Sequence, residues 1–303
     1  MKKTDAFSDC HPIVNITYFL LVIGFTMIIM HPICLAISLL CAMAYAIYLK
    51  GQKAIRFNII YMIPLLLITA LVNPVFSHRG VTILAYLPGG NPLTLESILY
   101  GVTSAMLLIC TITWFSSFNK VMTSDRIVYV FGRFIPSLSL VLSMSLRFIP
   151  RFINQMKFIS NAQRCIGYDM QKQGLLKKVR YGIKRFSMLT TWALENAIDT
   201  ADSMNSRGYG LTGRTSFSIY RFDKRDKKLM VFLLFMGIST IVAILTKRFY
   251  FQFYPMVTKL EFSFLQVGLF LIYFLLCATP IILNVKEYIK WKKLQTKPLV
   301  SKI

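Results

Sequence analysis

Six long apolar stretches constrain the fold of this chain more than any other feature of its sequence. A helix needs about 20 mainly apolar residues to cross the ~30 Å hydrocarbon core of a membrane, and each stretch approaches that length. The stretches are residues 13–30, 32–48, 57–72, 95–115, 229–245 and 262–283. Because lipid offers no water to bond exposed backbone groups, helices are the expected form. The sequence therefore predicts an all-α polytopic membrane protein with about six transmembrane helices.

Composition agrees with lipid as the solvent for much of the chain. Hydrophobic residues make up 55% of the 303 residues, and the mean hydropathy is +0.57. The formal net charge is +23, from 35 Lys and Arg against 12 Asp and Glu. These charges cluster between the apolar stretches, so we attribute them to anionic lipid head groups and to the positive-inside bias of membrane proteins. Membrane lipid is the expected partner, and nucleic acid is not.

Three basic regions set the predicted orientation. They are the loop around Lys50, Lys53 and Arg56, the segment of residues 147–228, and the lysine-rich tail that follows the last apolar stretch. Positive charge favours the cytoplasmic side, and six crossings put all three regions there together. We therefore expect a multi-pass protein of the cell membrane with cytoplasmic N- and C-termini.

A seventh apolar stretch, at residues 127–146, is not expected to cross. Arg133 and Pro136 interrupt it, and an additional crossing would put a basic region outside. We expect residues 124–146 to be an interfacial or re-entrant segment. The predicted domains are a transmembrane domain of four spans at residues 1–118, the interfacial segment and a cytoplasmic helical domain at 119–228, and a transmembrane pair with the basic tail at 229–303.

The predicted outer loop, at residues 73–91, contains the turn residues Pro74, Gly80, Pro88, Gly89 and Gly90 around an apolar run. A short hairpin or partly buried flap fits this pattern. An ordinary connecting loop fits it equally well.

The cytoplasmic segment contains two amphipathic patterns. Apolar residues at steps of three and four predict helices over residues 147–167 and about 175–204, which end at Gly167 and Gly208. A cation followed by glycine is a common way to end any helix, because the last carbonyls favour positive charge. The alternative is that two exposed helix ends fit grooves on a soluble partner. Composition leaves both interpretations open.

Motifs for catalysis are missing from the sequence. It has no G-x-x-x-x-G-K-[ST] phosphate loop, no G-x-S-x-G elbow and no H-E-x-x-H, and its six cysteines are scattered without metal-ligand or disulfide spacing. The six spans hold no Asp, Glu, Lys, Arg or His apart from Glu96 at an edge, which argues against a self-sufficient pump. We expect no enzymatic activity, no cofactor and no bound metal.

One acidic group gives an alternative function. Glu195, Asp199 and Asp202 share a helical face and resemble the Mg²⁺-chelating helices of membrane prenyltransferases. A membrane-embedded, Mg-dependent transferase acting on a phosphorylated lipid is therefore the second hypothesis. Such enzymes use two facing acidic clusters, whereas this sequence has one, so a solvated acidic stripe is the better account. A plain membrane scaffold is the third hypothesis.

Five short motifs occur along the chain. They are Asn-Pro-Val-Phe-Ser-His-Arg-Gly at residues 73–80, Leu-Arg-Phe-Ile-Pro at 146–150, Ala-Gln-Arg-Cys-Ile-Gly at 162–167, Ala-Asp-Ser-Met-Asn-Ser-Arg-Gly-Tyr-Gly at 201–210, and Gly-Arg-Thr at 213–215, followed by Asp226. Together they resemble the transmembrane T-component of energy-coupling factor (ECF) importers, the CbiQ/EcfT family. The resemblance covers most of the chain.

The resemblance implies a division of labour in the plasma membrane of a prokaryote. Two cytoplasmic ABC-type ATPase subunits bind the amphipathic coupling helices, and one small integral-membrane subunit binds the substrate, a vitamin or a metal ion. A chain of this family transmits ATP-driven movement between them.

The resemblance also implies which residues contact the ATPases. In this family each coupling helix ends in an Ala-Arg-Gly-like signature that enters a groove on an ATPase. The second signature here is Ser206-Arg207-Gly208, and the first is Cys165-Ile166-Gly167, with Ile166 at the arginine position. Arg164 substitutes for that arginine only if the helix end is rotated. The unequal ends favour two non-identical ATPase subunits. The residues expected to support the coupling helices are Arg147, Pro150, Ala201 and Met204.

Overall fold

The computed structural model describes residues 5–77, 80–86, 92–167, 174–209, 211, 220–258 and 263–295. The chain divides into two compact units, one formed by Met1–Thr123 with Tyr220–Ile303 and the other by Ser124–Ile219. Some residues singled out in the sequence lie outside the described residues, namely His78, Arg79, Pro88, Gly89, Gly90 and Gly213-Arg214-Thr215. Each unit is described below by itself.

The first unit contains seven α-helices and one hairpin within the described residues. They are α1 (Pro12–Ile28), α2 (Pro32–Lys50), α3 (Gln52–Phe57), a π-helical segment (Asn58–Met62), α4 (Ile63–Phe76), β1 (Ile83–Tyr86), β2 (Pro92–Thr94), α5 (Leu95–Val121), α9 (Lys224–Leu245) and α10 (Phe264–Gln295). The second unit contains α6 (Ser124–Phe134), α7 (Pro136–Cys165) and α8 (Leu175–Ser206).

The all-α polytopic membrane fold predicted from the sequence is confirmed. Five helical segments are long and apolar enough to cross a membrane: Pro32–Lys50, Gln52–Phe76, Leu95–Val121, Lys224–Leu245 and Phe264–Leu294. The first predicted span, α1, is apolar but has only 17 residues, or about 25 Å of helix. It is short because Pro12 begins it and because the chain leaves the helix before the His31-Pro32 pair.

The basic loop expected between the second and third spans is mostly helical. Lys50 is the last residue of α2, while Lys53 and Arg56 lie on α3, which continues through the π-helical segment into α4. Only Gly51, with φ of 59°, separates α2 from α3. A glycine adopts this left-handed conformation without the steric cost of a Cβ atom, so the turn needs no further residues.

Aromatic side chains form the centre of the first unit. The rings of Tyr18 and Trp114 lie 6.0 Å apart in an edge-to-face arrangement, and Phe7 and Phe19 make similar contacts with Tyr18. Ser38 is fully buried beside them, and its hydroxyl accepts a hydrogen bond from Trp114 Nε1 at 3.0 Å. This buried indole N–H is therefore satisfied inside the bundle, where water does not reach it.

Helices α4 and α5 approach each other closely at Gly101. A Cβ atom at this position would lie 2.6 Å from the carbonyl oxygen of Ala70 and 3.3 Å from Pro74. Pro74 lies inside α4 and has no N–H, so it cannot donate the usual helical hydrogen bond to Ala70. The Asn73-Pro74 motif and Gly101 thus meet at one crossing, where the absence of a side chain permits close packing.

The described part of the predicted outer loop forms a hairpin. Strands β1 and β2 pair antiparallel, with Ile83 opposite Thr94 and Tyr86 opposite Pro92. Glu96, in the first turn of α5, is buried, and its Oε1 accepts a hydrogen bond from the Thr82 N–H at 3.2 Å. The structure therefore selects the hairpin over the ordinary loop.

The N-terminal segment is bound to the last two helices. Asp226 near the start of α9 accepts hydrogen bonds from the backbone N–H groups of Asp223 and His11, at 3.3 and 3.4 Å. Asn284 of α10 accepts one from the Ala6 N–H at 2.7 Å and donates one to Asp5 at 2.6 Å. These contacts join the two ends of the sequence within the first unit.

The second unit differs from the prediction in one helix boundary. The expected break between residues 146 and 147 is absent, because α7 runs unbroken from Pro136 to Cys165 with Pro150 in its interior. Proline removes one backbone hydrogen bond from a helix, but the apolar spacing of α7 continues on both sides of it. The actual boundary lies between Phe134 and Pro136, where a proline fits the first turn of the new helix.

Candidate functional site at the ends of two helices

The C-terminal end of α8 forms a regular helix cap. The N–H of Gly208 donates to the Asn205 carbonyl at 3.0 Å, and the N–H of Tyr209 donates to the Met204 carbonyl at 3.1 Å. With Gly208 at φ of 74°, this is a Schellman motif. The cap satisfies the last carbonyls of the helix and holds Arg207 at the cap position, with φ of −86° and ψ of 10°.

Side chains at this end project outward. Arg207 is exposed, and its guanidinium has no acceptor among the described residues. Ser206 instead donates its hydroxyl to the Asp202 carbonyl at 2.8 Å, which turns it back onto the helix. Ala201 is exposed and Met204 is half-buried. Arg207 therefore presents five unused N–H donors in a planar fork, the geometry that matches a carboxylate or a row of carbonyls.

The C-terminal end of α7 has the same backbone geometry. Ile166 occupies its cap position with φ of −90° and ψ of 9°, and the N–H of Gly167 donates to the Arg164 carbonyl at 3.0 Å. Gly167 has φ of 87°. Ile166 is therefore the structural counterpart of Arg207. Its side chain is 74% exposed, and Cys165 beside it is exposed as well.

Helices α7 and α8 are held together by side-chain contacts that were not predicted from the sequence. The guanidinium of Arg185 donates through Nε to Gln163 Oε1 at 2.7 Å, and both side chains are buried. The rings of Phe152 and Trp192 lie 6.0 Å apart, edge to face, and the Arg151 guanidinium lies 5.8 Å from the Trp192 ring. Phe152, Ile159 and Gln163 lie on one face of α7 at helical spacing. The polar side chain of Gln163 on this otherwise apolar face was a sequence signal for a buried hydrogen-bond partner.

These contacts run in opposite order along the two helices. Phe152 of α7 contacts Trp192 of α8, and Gln163 of α7 contacts Arg185 of α8. The residue number rises along α7 while that of its partner on α8 falls, so the helices are antiparallel here. From the Phe152–Trp192 contact, α7 continues for 13 residues to Cys165 and α8 for 14 to Ser206, which is about 20 Å of helix each. The two capped ends therefore lie at opposite ends of the pair.

The predicted apolar face of α8 is not the face that meets α7. The contact uses Arg185, Met188 and Trp192, whereas a row of large apolar side chains is exposed. That row consists of Leu175, Leu176, Val179, Ile183, Phe186, Leu194 and Ile198. Contiguous exposed apolar surface of this kind usually marks a binding surface for protein or lipid.

The other predicted site residues lie apart from the helix ends. Arg147 and Pro150 are exposed in the middle of α7, 18 and 15 residues before Cys165. Glu195, Asp199 and Asp202 are exposed on α8, and the described residues hold no group of three or more His, Cys, Asp or Glu that could bind a metal ion. The structure thus gives the Mg-dependent transferase no metal site within the described residues.

Comparison with known proteins assigns the family. The sequence profile of the CbiQ family, described as a cobalt transport protein, matches residues 12–218, about two thirds of the chain. The chain belongs to the CbiQ family. The match includes both capped helix ends and every helix from α1 to α8.

Several curated relatives are energy-coupling factor transporter transmembrane proteins named EcfT. The chain is 31% identical to EcfT of Lactobacillus helveticus over 158 residues, which cover 47% of this chain and 57% of the relative. It is 39% identical to EcfT of Lactococcus lactis over 106 residues, covering 35% and 40%. With EcfT of Exiguobacterium sibiricum the identity is 26% over 206 residues, covering 64% and 74%. The first two matches span about half the length of those relatives.

Proposed function

We propose that this CbiQ-family chain is the energy-coupling transmembrane subunit of an ECF-type importer in the plasma membrane of a prokaryote. It transmits ATP-driven movement from two cytoplasmic ATPase subunits to a small membrane subunit that binds the substrate, a vitamin or a metal ion. The observation that carries the proposal is the pair of equivalent helix caps at opposite ends of two antiparallel helices.

The two caps support binding of two partners. Each end presents one exposed side chain, Arg207 or Ile166, on a rigid capped helix, which is the helix-in-groove mode of recognition. Because the ends lie about 20 Å of helix to either side of the Phe152–Trp192 contact, one globular partner would occupy one end only. Two ATPase subunits, one at each end, account for this arrangement.

The contacts between α7 and α8 support transmission of movement. The Arg185–Gln163 hydrogen bond and the Phe152–Trp192 pair fix the helices to each other between their ends. When the two ATPases close on ATP, the displacement of each end is carried along a stiff helix to this contact. The exposed apolar row of α8 is then the surface for the small membrane subunit, because apolar side chains there lose solvent exposure on binding.

ATP hydrolysis belongs to the partner subunits in this proposal. The sequence has no phosphate loop of its own, so it contributes binding and movement. The segment of residues 147–228, which contains both capped ends, is strongly basic, so the positive-inside bias favours the cytoplasmic side, where ATP is available.

The test is an affinity pull-down of the tagged chain from gently solubilised native membranes. Wild type is compared with Arg207→Glu and with Arg180→Glu, a control on the same helix with the same charge change and an exposed side chain. We expect ATP-binding subunits with wild type and with Arg180→Glu, and at least roughly tenfold depletion with Arg207→Glu, because reversing a charge that is desolvated at an interface is costly.

Substrate uptake by cells carrying each variant completes the test. Arg207→Glu is expected to abolish uptake while its level in the membrane stays normal. Normal uptake by Arg207→Glu would exclude this role for the α8 end. Mg²⁺-dependent turnover of a lipid phosphate by the purified chain would instead support the transferase.

A further inference from the structure

A pocket with both polar and apolar lining residues lies in the first unit where α2 turns into α3. Its volume is about 180 Å³, far more than the roughly 15 Å³ that one water molecule requires. Its polar lining comes from Lys50, Lys53, Asn58, Thr113 and Ser116. The capped ends of α7 and α8 do not contribute to it, so it stands apart from the proposed coupling site.

Asn58 in this pocket has an unsatisfied donor. The residue is only 8% exposed, yet its Nδ2 has no hydrogen-bond partner among the described residues. A buried amide donor without a partner destabilises the folded state. Asn58 begins the π-helical segment and lines the same pocket as Lys50 and Lys53. An acceptor that enters the pocket would remove this destabilisation.

The charged groups of the pocket also lack a counterion. The ammonium of Lys50 donates to the Ser116 hydroxyl, and neither Lys50 nor Lys53 contacts a carboxylate in the part of the chain that the structure describes. Lys120, one helical turn after Ser116 on α5, lies within electrostatic range of Lys50. Lys50 and Lys120 repel each other, and Lys53 lines the same pocket as Lys50, so a bound anion would interact favourably with charges that otherwise only repel.

The surroundings of the pocket identify the anion. Lys50 ends one candidate membrane span and Lys120 lies in the last turn of another, so the pocket is at a membrane boundary. Directly beyond it, Ile55, Ile59 and Ile60 are exposed on α3 and the π-helical segment. A phosphate with acyl chains attached would meet the polar groups of the pocket and cover this apolar surface at the same time.

We propose that this pocket binds the phosphate of an anionic phospholipid headgroup, through the ammonium groups of Lys50 and Lys53 and the amide of Asn58. Basic pockets between membrane helices commonly bind such head groups. The inference does not depend on the proposed coupling function, because it uses only the first unit and its position at the membrane boundary.

The test measures lipid-induced stabilisation of the full-length chain in detergent. Phosphatidylglycerol, phosphatidylcholine and inorganic phosphate are added separately, and the thermal midpoint and the bound lipid, by native mass spectrometry, are recorded. We expect phosphatidylglycerol to raise the midpoint in proportion to its occupancy. The Lys50→Gln/Lys53→Gln variant should need at least about tenfold more lipid, whereas Lys286→Gln/Lys290→Gln, which loses the same charge from the exposed surface of α10, should match wild type.

A second variant separates lipid binding from folding. Asn58→Asp keeps the size of the side chain but replaces the unsatisfied donor with a carboxylate beside Lys50 and Lys53. It should be at least as stable as wild type without lipid, and phosphatidylglycerol should no longer raise its midpoint. Equal effects of phosphatidylglycerol on wild type and both pocket variants would overturn the proposal. So would equal effects of phosphatidylcholine, or of inorganic phosphate at the same concentration, which would assign the pocket to soluble phosphate.

Discussion

Ile166 and Arg207 occupy equivalent backbone positions but have side chains of different chemistry. Both precede a left-handed glycine at the end of a long helix, and their φ and ψ angles agree within 4° and 1° (−90 against −86, and 9 against 10). Arg207 offers directed hydrogen bonds, whereas Ile166 offers only apolar contact. The two ends therefore favour differently shaped partner surfaces, and the expectation of non-identical ATPase subunits, which rests on these ends, stays a prediction.

His31 is a buried titratable group outside the spans. It lies in the turn between α1 and α2, only 2% exposed, between the rings of Phe251 and Phe270. Its Nδ1 has no hydrogen-bond partner among the described residues. Burial lowers the pKa of His31 from 6.5 to about 4, because the charged imidazolium is poorly solvated there.

This pKa predicts a pH dependence of stability. Between pH 6.5 and about 4 the unfolded chain binds a proton at His31 that the folded chain does not, so stability falls as the pH falls through this window. At pH 5 the loss is about 2 kcal/mol relative to pH 7. We expect the thermal midpoint of the wild type in detergent to drop over this range more steeply than that of His31→Leu. Parallel curves for the two proteins would contradict the assignment.

The hydrogen bond between Gln163 and Arg185 could not be predicted from the sequence. Both residues belong to helices with strongly basic polar faces, so neither stands out by composition. Their burial depends on how α7 crosses α8, which is a long-range property that residue spacing within one helix does not specify. In contrast, the helix stops at Gly167 and Gly208 were predictable because the cap is local chemistry, and both are confirmed.

The apolar stretches predicted which segments form helices, but they did not predict where one helix ends and the next begins. Hydropathy determines which segments enter lipid, so the polytopic fold followed from the sequence. Junctions depend instead on single residues. Pro136 begins α7 and Pro150 does not interrupt it, and Gly51 alone forms the turn that was expected to be a basic loop. Proline fits the first turn of a helix and is usually unfavourable in its interior, yet α7 contains one at each position, so the sequence alone did not separate the two cases.

The close packing of α4 against α5 at Gly101 leaves no room for a side chain there. Gly101→Ala would place a Cβ atom 2.6 Å from the backbone oxygen of Ala70, which cannot move without shifting α4. We expect a loss of about 1–3 kcal/mol, the usual cost of overpacking, seen as a lower thermal midpoint. Gly268→Ala in α10 is the matched control, because no atom lies within 4 Å of its Cβ and alanine favours a helix. A thermal midpoint of Gly101→Ala at or above that of Gly268→Ala would show that the α4–α5 crossing accommodates a methyl group.

For the whole molecule, the two units differ in how their helices are buried. Helices α1, α2 and α5 contribute much of the described core, whereas most side chains of α7 and α8 are exposed. A unit with few buried apolar side chains opens at lower free energy than a unit with many. The second unit is therefore expected to open locally more readily than the first.

Hydrogen exchange of the isolated chain tests this difference. Backbone amides of α7 and α8 are expected to exchange faster than those of α1, α2 and α5, because fewer contacts oppose their local opening. Adding the ATP-binding subunits should slow exchange in the last turns of α7 and α8 first. Equal protection of both sets of helices in the isolated chain would refute the distinction.

The exposed Cys165 has a practical consequence. All six cysteines lie in the described part of the chain, and the other five are buried. Thiol reagents attack accessible cysteines in preference to those inside a core. A maleimide dye added to the native sequence should therefore attach at one position, next to Ile166 at the end of α7. The unmodified protein thus carries its own labelling handle, and the fluorescence of that dye would report in real time whether anything docks at this end.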